Sequence, residues 1–161
     1  HHGTSVFSVL TQNLGGLKTA IYRFPANDMC RFSNLIEHAD LRGVRIINLS
    51  MGSNSAEDWK CFHESARRHL NILFVVSAGN GGLNIDTNHV FPASFDLENI
   101  VVVTSSDLFG YLPRHSNYGV QSVDLWFPLN KWMFLTIAVH ILLPVDRVTR
   151  RPWWRTLQPG F

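Results

Sequence analysis

Short runs of β-branched and aliphatic residues alternate along the chain with stretches whose apolar positions recur every three to four residues. The best runs are Val44 to Leu49, Ile72 to Val76 and Ile100 to Thr104, each of strand length and rich in Val and Ile. Between the first two, Ala56 to Leu70 places Trp59, Phe62, Ala66 and Leu70 near one helical face. Before the first, Phe32, Leu35, Ile36 and Ala39 do the same and stop at Gly43. A helix over Thr4 to Thr11, a break at Gly15-Gly16, a strand over Thr19 to Phe24 and a short strand over Ser122 to Trp126 complete the pattern. Strands separated by helices predict an α/β fold, an open and mostly parallel sheet with flanking helices. Such sheets carry their active sites at the carboxyl ends of the strands. There is no internal repeat. From Leu129 onward neither the strand rhythm nor the turn chemistry continues.

Composition narrows the choice of class. With 161 residues, 45% hydrophobic and 16% charged, the chain is an ordinary globular domain or part of one. A chain of this length buries roughly two thirds of its unfolded surface. The net charge of +2 comes largely from one run, Arg147 to Arg155, and no basic stripe with interleaved aromatics predicts a nucleic-acid partner. Met133 to Val145 is apolar but far shorter than the roughly 20 residues of a membrane span, so no membrane partner is expected either. Cys30 and Cys61 have no metal-ligand spacing and read as buried or free thiols, with a disulfide as the open alternative. The opening His1-His2-Gly3, without methionine or signal-like stretch, reads as cut from something longer.

Three segments carry chemistry. His2-Gly3-Thr4-Ser5-Val6 puts a histidine at a helix start, with small residues around it for close approach. Asn48-Leu49-Ser50-Met51-Gly52 ends a strand in turn-forming residues, and Ser77-Ala78-Gly79-Asn80 ends the next strand on an amide. In this order, and followed by Phe91-Pro92-Ala93-Ser94, Ser116-Asn117-Tyr118-Gly119 and Val123-Asp124, they closely resemble the subtilase family of serine proteases. The resemblance spans His1 to Pro128. It implies an endopeptidase with a Ser-His-Asp triad, in which His2 is the general base and Asn80 the oxyanion donor. It further implies that Ser50, Met51 and Gly52 pair backbone-to-backbone with a peptide or protein substrate in extended conformation. Ser77, Ala78 and Gly79 would form a wall of the primary specificity pocket. It implies an extracytoplasmic or secreted location, no cofactor for the chemistry, and structural calcium as a family property that no residue here can be assigned to. The chain departs from the family pattern at His1, where Gly is usual, and at Phe7-Ser8, where Ala-Gly is usual. No aspartate segment precedes His2, and no Gly-Thr-Ser nucleophile motif follows Pro128. Ser5 and Ser77 belong to other motifs and are not nucleophile candidates, so the chain as written is expected to be inactive.

Plainer readings stand beside these. His63 and His69, among Glu64, Arg67 and Arg68, read as a solvated helix face. Asp124 reads as a strand-end or turn residue rather than the triad aspartate. Asp58, Asp86 and Glu98 lack the spacing of a calcium loop, and no metal site is assigned. The alternative function is a non-catalytic subtilase-like module that binds extended peptides. A phosphate-cradling loop at Gly79-Asn80-Gly81-Gly82 lacks the required glycine spacing and the following lysine.

Residues 1–128 are thus read as a partial catalytic domain, and 129–161 as an atypical, poorly packed tail in a shifted reading frame. Across Trp153-Trp154 a one-base shift forces Val, and across Trp154-Arg155 a CGN codon yields Ala. Codons from Val145 to Phe161 can then be chosen to read Gly-Ser-Ser-His-Ala-Pro-Pro-Met-Val-Ala-Asp-Ala-Ala-Ala-Trp-Leu, which resembles the family's nucleophile segment. Sequencing the encoding DNA should find that serine motif in the shifted frame; a stop codon there, or no such motif, contradicts the reading.

Overall fold

A computed structural model of the chain describes residues 2–11, 18–23 and 28–128. The expected tail, the Gly15-Gly16 break and Phe24 lie outside these residues. The described elements are α1 (His2–Thr11), α2 (Arg31–Leu41), β1 (Ile46–Leu49), a short 3-10 turn (Glu57–Trp59), α3 (Lys60–Arg68), β2 (Leu73–Ser77), β3 (Ile100–Ser106) and β4 (Leu125–Pro128). The four strands form one sheet in the order β1-β2-β3-β4. Every pairing is parallel, with Leu49 level with Val76, Ser77 with Val103 and Val103 with Leu125.

Local chemistry sets the boundaries. α2 closes through Gly43, whose φ of +73° a side chain would disfavour. Gly43 N–H bonds to Asp40 O and Val44 N–H to Ala39 O, the paired closure of a Schellman turn, which aims the chain into β1. The helix expected over 56–70 begins instead as the 3-10 turn and stops at Arg68, leaving Leu70 61% exposed. At its end the Asn99 side-chain amide, itself buried, donates to the carbonyls of Ala66, His69 and Ile72. The carbonyls of Ala66 and His69 also accept from the backbone N–H groups of His69 and Ile72, so the helix end is closed twice over.

The core lies between the two helices and the sheet. Phe32 of α2 stacks on Trp59 at 5.1 Å, and Phe62 of α3 meets Phe32, Trp59 and Phe74 edge to face. On β2, Phe74 and Val76 are buried while the alternate residues are half-buried, and β3 repeats this with Ile100 and Val102.

Three expectations need correction. Residues 18–23 form no strand: a strand exists only by pairing, and here Ile21 is 71% exposed. His63 and His69 are half-buried rather than solvated. The His63 ring lies 4.5 Å from that of Phe95, and His69 Nδ1 donates to Ser65 O. Cys30 and Cys61 form a disulfide joining the start of α2 to the start of α3, with Cα atoms 4.9 Å apart. The packing of the two helices brings them together, and spacing in sequence carries no trace of that. Among the described residues no helix is long and apolar enough to cross a membrane.

Beyond β2, Asp86 fastens two loops. Its carboxylate accepts from the backbone N–H groups of Gln121 and Ser122, and a Cβ at Gly119 would lie 2.6 Å from Oδ1. Partial burial alone would raise the Asp86 pKa. Hydrogen bonds from the Ser122 side chain and the backbone of Gln121, Ser122 and Val120 outweigh it and hold the carboxyl below the usual carboxylate range.

Two outcomes follow. Since the folded pKa of Asp86 is below its unfolded value, its contribution is complete above about pH 4 and declines as the pH falls through the folded value. Asp86→Ala should cost about 1–2 kcal/mol at pH 7 by urea denaturation and weaken the loss of stability on acidification; an unchanged acid profile contradicts this. The disulfide closes a loop with a sequence separation of 31. Its reduction should destabilise the chain by about 3–4 kcal/mol, and thiol titration of the unreduced, denatured protein should find no free cysteine.

Candidate active site

Parallel pairing puts the carboxyl ends of β1, β2 and β3 on one edge of the sheet, and the segments singled out in the sequence leave from it. Leu49 and Val76 are level, so Ser50-Met51-Gly52 and Ser77-Ala78-Gly79-Asn80 emerge side by side. Ser50 is half-buried and accepts from Asn48 Nδ2 at 2.9 Å, while Met51 and Gly52 are exposed. Ala78 is completely buried, Ser77 and Gly79 are half-buried, and Asn80 is exposed. Asn80 thus stands exposed three residues beyond the end of β2.

Each segment is fixed just beyond the exposed residues. After Gly52, Ser53 exchanges two backbone hydrogen bonds with Phe91, at 2.9 and 2.8 Å. A Cβ at Gly52 would lie 2.8 Å from Phe91 O, so only glycine fits beside that backbone. Trp59 Nε1 donates to Ser53 Oγ at 3.0 Å, which ties the segment to the aromatic core. On the β2 side, Ala78 N–H bonds to Val103 O and extends the ladder one residue past the strand. Gly79 then turns the chain at φ +100°, and a Cβ there would meet Asn117 Nδ2 at 2.7 Å. Asn117 is buried, and its carboxamide bonds to Ala78 O, Gly81 N and Leu83 N.

The structure therefore brings Ser50, Met51 and Gly52 together with Ser77, Ala78, Gly79 and Asn80. His2 is the first residue of α1, at the helix start. Asp124 sits just before β4 and its Oδ2 accepts from Val102 N, a strand-end role. Ser53, Trp59 and Asn117 escaped notice as site residues. Asn117 lay within a segment already singled out, but nothing in one sequence says that its side chain reaches back 39 positions to Ala78. Among the described residues no group of three or more His, Cys, Asp or Glu gathers as a metal-binding set.

Solved structures with the same fold are known. A lanthipeptide protease aligns at 24% identity and TM-score 0.51, over 65% of this chain and 35% of its own. The epidermin leader peptide processing serine protease from Staphylococcus aureus aligns at 24% identity and TM-score 0.50, over 74% of this chain and 36% of its own. Both share the fold, and the chain spans about a third of their length. No curated protein matches the sequence. The model of the subtilase family, a peptidase family, matches residues 2–147, continuing past Pro128. With that match over most of its length and the parallel sheet that bears its motifs, the chain belongs to the subtilase family.

Proposed function

We propose that this chain is a segment of a serine endopeptidase that hydrolyses peptide bonds by a Ser-His-Asp triad, contributing the general base and the oxyanion donor. The observation that carries the reading is the shared edge: a candidate substrate strand and a candidate oxyanion amide leave neighbouring parallel strands in register. An extended peptide laid along Ser50-Met51-Gly52 would bond to that backbone as an added strand. Its scissile carbonyl would then face Asn80, whose side-chain amide donates to the oxygen as it becomes negative. Such a donor acts only as charge develops, which is why it accelerates the reaction. In a subtilisin, losing one such donor lowers kcat on the order of 10²–10³-fold. Ser77 and Gly79 would line one wall of the specificity pocket, with Ala78 contributing backbone, since its side chain is buried.

His2 would take the proton from the nucleophilic serine and return it to the leaving amine. The serine and aspartate of that triad are assigned to no residue of this chain. The Cys30–Cys61 disulfide supports an extracytoplasmic or secreted location, because such bonds persist in oxidising compartments. The second reading, a peptide-binding module without turnover, uses the same strand edge and omits the chemistry.

The 161-residue chain should show no serine-protease turnover and no labelling by a fluorophosphonate probe. In a subtilisin, loss of the serine alone lowers kcat by about 10⁶. Probe-sensitive hydrolysis that His2→Ala abolishes would place a nucleophile inside the chain and contradict the assignment. Peptide binding is tested separately. Gly52→Val forces a side chain against Phe91 O and should weaken an extended peptide about tenfold or more by calorimetry. An undiminished affinity contradicts the substrate-strand role.

A further inference from the structure

Asn117 is 3% exposed and far in sequence from the residues it holds. Its Nδ2 donates to Ala78 O at 2.8 Å. Its Oδ1 accepts from Gly81 N at 2.8 Å and from Leu83 N at 2.9 Å, filling both lone pairs. Its own N–H donates to Gly79 O at 3.0 Å. Its carbonyl accepts from Thr104 Oγ1 of β3, which roots the residue in the sheet. Four backbone attachments, at Ala78 and Gly79 before Asn80 and at Gly81 and Leu83 after it, thus converge on one buried residue. Asn80 itself, exposed like Gly81 and Leu83, is bonded to none of these atoms.

We propose that Asn117 is a positioning residue for the oxyanion donor, a brace that fixes the loop from Ala78 to Leu83 so that the Asn80 amide is aimed before substrate arrives. The inference rests on the reading of Asn80 as that donor. The physical need is specific: an oxyanion hole works by donors that require no reorganisation at the moment of reaction, and a residue in a glycine-flanked loop does not hold its direction unaided. Gly79 and Gly81 are what let the loop close around the carboxamide, since a Cβ at Gly79 would lie 2.7 Å from Asn117 Nδ2 and one at Gly81 3.3 Å from Oδ1. Asparagine suits the place because one small planar group must donate at one end and accept twice at the other. Aspartate keeps the acceptors and loses the donor; leucine, of similar volume, loses both.

The brace is tested in two arms. In the 161-residue chain, Asn117→Ala should speed amide hydrogen exchange at Gly81 and Leu83 by about tenfold or more while Phe74, Val76 and Val102 keep their protection. Asn117→Asp, which retains both acceptors, should preserve protection at Gly81 and Leu83 and guards against an alanine variant that fails to fold. Unchanged exchange at Gly81 and Leu83 in the alanine variant, or equal loss in both variants, overturns the proposal. In the full-length protein, Asn80→Ala and Asn117→Ala should each lower kcat with KM held, and adding Asn117→Ala to Asn80→Ala should lower it no further. Additive losses would mean that Asn117 acts on general stability and would overturn the proposal. If Asn80→Ala leaves kcat unchanged, the donor reading of Asn80 falls instead, and the exchange arm still decides whether Asn117 holds the loop.

Discussion

The parallel hydrogen-bonded ladder through β1, β2 and β3 is the constraint on which the rest depends. Parallel strands cannot be joined by a tight turn, so the chain must cross back between them. The crossover from β1 to β2 is the 3-10 turn and α3, covered by the aromatic cluster of Phe32, Trp59, Phe62 and Phe74. Because each crossover returns the chain to the same end, every strand finishes on one edge. The Ser50 and Asn80 segments meet there for that reason alone. Their proximity is a consequence of topology before it is a feature of chemistry.

Two buried asparagines hold β2 at its two ends. Asn99 gathers the carbonyls of Ala66, His69 and Ile72 where α3 gives way to the strand. Asn117 gathers Ala78, Gly81 and Leu83 where the strand gives way to the candidate oxyanion loop. Asn117 replaces the water that the irregular backbone after β2 would otherwise need, since an unpaired buried polar group costs about 1–3 kcal/mol. The strand between them needs only its ladder and its apolar face. The chain can therefore end β2 abruptly and expose Asn80 one residue beyond Gly79, with no frayed turn between.

The strands and their direction were legible because Val and Ile runs separated by amphipathic stretches permit few other folds. Val44 to Leu49 and Ile72 to Val76 emerged within two residues of β1 and β2. The segment from Thr19 was not legible, because strand propensity says nothing of whether a partner is at hand. Nor were the disulfide and the half-buried histidines, which arise from packing between elements. At the candidate site, glycines and an asparagine after a strand were visible as a motif. The reasons that those residue types are needed were not, since the Phe91 carbonyl facing Gly52 and the Asn117 amide facing Gly79 come from distant parts of the chain.

The central claim is that one sheet edge holds an extended peptide and presents the Asn80 amide to its carbonyl. A crystal structure of the chain with a bound extended peptide tests it most directly. The account predicts backbone hydrogen bonds between the peptide and Ser50-Met51-Gly52, with one peptide carbonyl within hydrogen-bonding distance of the Asn80 side-chain nitrogen. A peptide bound away from that edge, or lying along it with Asn80 turned from every carbonyl, would contradict it.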